Sequence, residues 1–103
     1  MLEKTGYAKD TVVSFKIVNG DEIVAKIVEE NANGFVINKP TTVMPSQKGL
    51  ALMQSLFTSD LNKNIVLDKK HVMMHSPTVK DVEDYYIQTT TGIQPVSNGK
   101  IIT

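Results

Sequence analysis

Two runs of alternating apolar and polar residues, joined by Asn19-Gly20, constrain this chain more than any other feature. In residues 11–18, Val13, Phe15 and Ile17 share one face, and Ser14 and Lys16 the other. Period-two alternation marks a half-buried strand. Residues 22–29 repeat it, with Ile23, Ala25 and Ile27 on one face and Lys26 on the other. Asn-Gly between such runs supplies the left-handed backbone angles that a two-residue hairpin turn needs. The polar stretch Glu30-Asn31-Ala32-Asn33-Gly34 predicts a second turn, and residues 35–38 start a third strand. Lys39-Pro40 bends or ends that strand, because proline cannot donate to a ladder. Thr41-Thr42-Val43 extends it as an edge.

Further along, residues 45–49 read as a loop. Residues 50–57, LALMQSLF, alternate at Leu50, Leu52 and Leu56, although Ala, Leu, Met and Gln also favour helix. The short run and its flanking turn residues favour a strand. After a loop at 58–63, residues 64–68 and 71–75 form two short strands parted by Lys69-Lys70. The period then changes. Ser76-Pro77 reads as a helix start, a hydroxyl cap followed by proline, with Thr78 and Asp81 as an alternative capping pair. Val79, Val82 and Tyr86 form one apolar stripe, and Asp81, Glu83 and Asp84 favour the dipole at the start of the helix. The helix ends near residue 88, before Thr89-Thr90-Thr91-Gly92.

The expected organisation is an N-terminal extension (1–10), a β domain (11–75), a C-terminal helix (76–92) and a tail (93–103). Five short strands at hairpin spacing imply a mainly β fold: a small, strongly bent five-stranded barrel with one C-terminal helix. The shared phase of the strands predicts a core of Val13, Phe15, Ile17, Ile23, Ile27, Phe35, Ile37, Leu67 and Val72.

Composition narrows the function classes. The 103 residues suit one domain of ordinary apolar content, 41%. No apolar run approaches the roughly 20 residues that span a bilayer, and MLEKTGYAKD lacks the apolar core of a secretion signal. With no cysteine there is neither disulfide nor thiolate ligand, so a cytoplasmic setting is expected. Eleven lysines balance eleven acids, and there is no arginine. Net neutrality argues against strong non-specific binding to phosphate backbones. Without guanidinium forks, nucleic-acid contact would fall to lysines, backbone amides and stacking.

Residues 11–44 and 64–75 together resemble the Sm-like (LSm) family. Gly20 stands at the glycine turn of the first Sm motif, Ala25 at its second small residue and Ile27 at the apolar position two further on. The turn from Asn31 to Gly34 matches the polar turn that holds a base in that family. Leu67-Asp68-Lys69-Lys70-His71-Val72 fits the frame of the second motif, with Asp68-Lys69 in place of Arg-Gly. The pattern is most similar to divergent Sm-like proteins of cyanobacterial phages, which would place the chain in the host cytoplasm. About half of the chain carries the resemblance.

The resemblance implies an SH3-like barrel that assembles with copies of itself into a cyclic homo-oligomer. It also implies single-stranded RNA binding through turns that face the pore. Asn31, Asn33, Gly34, Lys69, Lys70 and His71 are then the candidate RNA-binding residues. Leu50, Leu52, Leu56, Val72, Met73 and Met74, on two apolar edges, are the candidate oligomer interface. The alternative is a structural or protein-interaction module on the same scaffold that has lost RNA binding.

Blander readings stand beside these. Asn and Gly also serve hairpin turns that need left-handed angles, and a lysine pair is usually a solvated turn. His71 and His75 are four apart, but about 13 Å in extended chain at ~3.3 Å per residue. One metal ion does not span that, so no metal site is assigned. Met44, Met53, Met73 and Met74 suit core or interface filling. Tyr85 could stack on a base, whereas the helix stripe turns Tyr86 inward. No phosphate loop, nucleophile elbow or zinc spacing is present. Neither enzyme, cofactor nor small-molecule substrate is therefore expected.

Overall fold

The computed structural model describes residues 6–91. The tail expected at 93–103, Gly92 and the first half of the N-terminal extension lie outside the described residues. Six strands and one helix follow in order: β1 Val12–Ile17, β2 Glu22–Glu30, β3 Gly34–Ser46, β4 Gly49–Gln54, β5 Asn64–Asp68, β6 Val72–Pro77 and α1 Lys80–Thr90. A single 3-10 turn, Lys69–His71, links β5 to β6.

All pairings are antiparallel, in the order β4-β3-β2-β1-β6, with β5 also on β3. This corrects the five-stranded barrel. Among the described residues there are six strands, and the ladder path stays open, ending at β6 on one side and at β4 and β5 on the other. The runs at 11–18, 22–29, 35–38, 50–57, 64–68 and 71–75 each supply one strand, and β4 folds back on residues 41–46, which continue β3. β2 occupies one edge of β3, while β5 and β4 share the opposite edge, β5 on residues 34–38 and β4 on 41–46.

Two turns show how local chemistry sets this layout. The first hairpin is longer than a two-residue turn. Ile17 N–H donates to Asp21 O at 3.0 Å, Gly20 takes φ +95°, and Asn19 Oδ1 accepts from Asp21 N–H at 2.9 Å. Lys39-Pro40 bends β3 without ending it, with Lys39 at φ +51°. The Tyr86 hydroxyl donates to the carbonyls of Asn38 and Lys39, at 3.1 and 2.8 Å, so α1 satisfies acceptors at the bend.

The sheet carries a core on each face. The inner one contains Val13, Phe15, Ile23, Ala25, Ile27, Phe35 and Ile37, with Ile17, Leu67 and Val72 packed against it. Every residue of the expected core is there. The outer one contains Val12, Val24, Leu52 and Tyr86, with Val43, Val82 and Tyr85 beside them. Tyr86 is fully buried, and that burial pushes its phenol pKa well up, so it stays a protonated donor.

The helix start moves. Ser76 and Pro77 pair with Ser14 and Val13 at the end of β6, where a proline on an edge strand lacks only an outward donor. Thr78 caps nothing: its hydroxyl bonds Ser14 Oγ at 2.8 Å, and Val79, at the N-cap, makes no side-chain cap bond. Leu52, expected at an oligomer interface, is buried beneath α1 because its phase in β4 is that of Val43 opposite. Leu56 lies beyond the end of β4, in the following loop.

Candidate functional site

The turn between β2 and β3 is built around one side chain. Asn31 Oδ1 accepts from the N–H groups of Asn33 and Gly34, at 2.9 and 3.0 Å, and Asn31 N–H donates to Gly34 O. The asparagine thus does the structural work of an Asx turn. Gly34 is buried opposite Asp68, and a Cβ there would lie 2.8 Å from the Leu67 carbonyl. Only glycine lets β3 and β5 approach this closely.

The second turn is organised by Asp68. Its carboxylate accepts from Lys70 N–H at 3.0 Å, capping the 3-10 turn. That hydrogen bond, helped by the charges of Lys70 and His71, holds its carboxyl below the usual range. Lys69 N–H then donates to Asn33 O at 2.9 Å. Two turns more than thirty residues apart are thereby joined through their backbones.

Within this joined surface the six candidate residues divide. Asn31 and Gly34 shape the turn. Lys69 Nζ pairs with Glu30 Oε2 at 2.8 Å and lies 5.3 Å from the centre of the Phe35 ring. Its charge is largely answered within the chain. Lys70 Nζ stands 3.8 Å from Asp68 and its side chain is 73% exposed. Asn33 and His71 are exposed too. An amide, an ammonium and an imidazole are therefore each exposed on the joined turns.

Beside it lies a group that sequence reasoning missed. Tyr7 Oη and His75 Nδ1 are 2.6 Å apart, and the His75 ring meets the Phe35 ring edge-on at 5.2 Å. Partial burial, and then the Glu30 charge, raise the Tyr7 pKa. Glu30 Oε1 is buried with no hydrogen-bond partner among the described residues. Nothing in the local pattern around Tyr7 signals this contact. The pairing of Glu30 with Lys69 follows from the β2–β3–β5 register, which no single strand contains.

The candidate interface residues separate as well. Leu50, Leu56, Met73 and Met74 are exposed, Val72 is half-buried against the inner core, and Leu52 is core. Val66 and Phe57, at 69% and 72% exposure, are missing from the sequence-derived set. Val66 is the outward residue between inward Ile65 and Leu67, a phase that NIVLD does show. Among the described residues, β5 pairs only with β3 and β6 only with β1, so each leaves one edge unpaired.

No helix among the described residues is long and apolar enough to cross a membrane. A scan against protein-family models finds no match for the sequence, and a search of curated proteins finds none either.

Proposed function

We propose that this chain is an Sm-like, ring-forming subunit that binds single-stranded RNA through its joined turns. The observation that carries the reading is the hydrogen bond from Lys69 N–H to Asn33 O, which brings the two turns singled out by the resemblance into one surface. The strand path β5-β3-β2-β1-β6, with one 3-10 turn between β5 and β6, supports an Sm-like arrangement. The unpaired edges of β5 and β6 support self-association, since exposed edges invite a further strand. Addition of β5 of one copy to β6 of the next is a head-to-tail contact, which closes into a ring or runs on as a filament. Repetition around a ring multiplies one weakly basic turn into a field that one copy lacks.

A structural or protein-interaction role on the same assembly is the second reading. It is favoured by the Glu30–Lys69 pair, which removes one of the two turn cations.

Two measurements test these readings. Titration of oligo-U and oligo-A at two salt concentrations is expected to show binding that weakens with salt. Lys70→Ala should weaken it and flatten the salt slope more than Lys69→Ala, because Lys69 is already paired. No binding to either oligonucleotide would leave the second reading. Light scattering coupled to gel filtration tests the ring: a mass near the 11.4 kDa of one chain at micromolar concentration sinks it.

A further inference from the structure

The loop between β4 and β5 holds a large aromatic side chain in solvent. Phe57 is 72% exposed, the highest value among the large apolar side chains of the described residues, and Leu56 beside it is 47% exposed. The loop is not slack. Gln54 Nε2 donates to Leu56 O at 2.8 Å and to Ser59 O at 3.3 Å, and Ser55 N–H donates to Pro40 O at 3.0 Å. A preorganised loop that displays an aromatic ring has the character of an interface anchor, because little entropy remains to be lost on binding.

An apolar receptor exists elsewhere on the same chain. An open groove of about 350 Å³ lies between β1, β4, β6 and the start of α1. Val24, Val43, Leu50, Met74, Val79 and Val82 are its apolar lining. Lys16 and Glu22 also border it, one cation and one anion. The loop likewise bears one anion and one cation, Asp60 and Lys63, close to Phe57 in sequence.

Phe57 does not line the groove of its own chain. The groove touches α1 at Val79 and Val82, whereas the loop is tied to Pro40, at the bend that Tyr86 reaches. Val79 and Tyr86 are about 10 Å apart along the helix axis at 1.5 Å per residue. Knob and groove are thus separate patches of one chain, as a head-to-tail contact uses.

We infer that Phe57 of one copy seats in the β1–β4–β6–α1 groove of the next copy, adding a side-chain lock to the assembly. The inference rests on the ring reading above, and not on RNA binding. It follows the direction of strand addition. Antiparallel pairing of a neighbour's β5 with β6, outward face matched to outward face, sets its Asn64 across from Ser76, so the loop that precedes Asn64 falls beside Val79. Val66 of that neighbour then faces outward on the same side as Met74.

The chain has no native cysteine, so engineered pairs report the contact directly. In the full-length protein carrying Phe57→Cys with Val79→Cys, mild oxidation should give a ladder of disulfide-linked multimers on a non-reducing gel. Phe57→Cys with Asn19→Cys should give none. Phe57→Ser, an exposed change that spares the fold, should raise the concentration at which the assembly dissociates by tenfold or more. A wild-type multimer that gives no ladder with the first pair, or whose dissociation Phe57→Ser leaves unchanged, overturns the lock and leaves the ring standing. A wild type that stays at the mass of one chain overturns both.

Discussion

The two faces of the β1–β2 hairpin are buried by different means. On the inner face, Phe15 packs edge-to-face on Phe35 at 5.0 Å between ring centres, and residues of neighbouring strands complete the cluster. On the outer face, Val12 and Val24 are covered by Leu52 from β4 and Tyr86 from α1. The inner core is a product of alternation and close pairing. The outer core depends on a helix that begins more than fifty residues after Val24 and is held down by a hydroxyl at the β3 bend. A sheet face that looks merely half-polar in sequence becomes interior when an element from far along the chain lands on it.

Substitutions on each face measure that difference. Phe15→Ala should be the most damaging, at about 3–5 kcal/mol for a fully buried aromatic, read as a shifted midpoint in urea unfolding. A loss below about 1 kcal/mol would mean that the inner core is not the main one. Leu52→Ala should cost about 2–3 kcal/mol, toward the low end for leucine because the smaller outer core can settle. A cost equal to that of Phe15→Ala would make the two faces one cooperative unit. Tyr86→Phe keeps the ring and removes the donor to the Asn38 and Lys39 carbonyls, for about 1–2 kcal/mol. A matching loss for Tyr85→Phe would remove the special role of the bend.

The smallest effect falls outside both cores. The Asp68 carboxyl is held low by the Lys70 N–H, so its contribution is complete above the ordinary aspartate value of 3.8 and is lost as pH falls through the lowered one. The Lys70 amide shift in an NMR titration should move with a midpoint below 3.8, with the sheet still folded. A midpoint at the ordinary value would show that the cap does not form.

Much of this was legible from residue order. Val13 to Ile17, Ile23 to Ile27, the bend at Lys39-Pro40 and the short NIVLD strand all carry their own periodicity or backbone restriction. So did the polar turns, because Asn-Gly pairs and a lysine pair after an aspartate are local turn chemistry. Ser76-Pro77 misled for a physical reason. A serine–proline pair starts a helix only when no strand claims it, and here β1 offers Ser76 and Pro77 ladder positions. Lys69 misled likewise: its sequence neighbours suggest a free cation, while Glu30 across the sheet neutralises it.

The sequence by itself determined a mainly β chain with a C-terminal helix and the inward phase of its first three strands. It also determined two polar turns, because each of these rests on spacing within a few residues. Tertiary structure alone decided that the path stays open at β5 and β6 and that Leu52 belongs to a second core. It alone decided that Tyr86 caps the bend, that Lys69 is paired, and that Phe57 stands exposed. These depend on which distant segments meet, and long-range contacts are selected by the packing of the whole chain rather than by any local pattern.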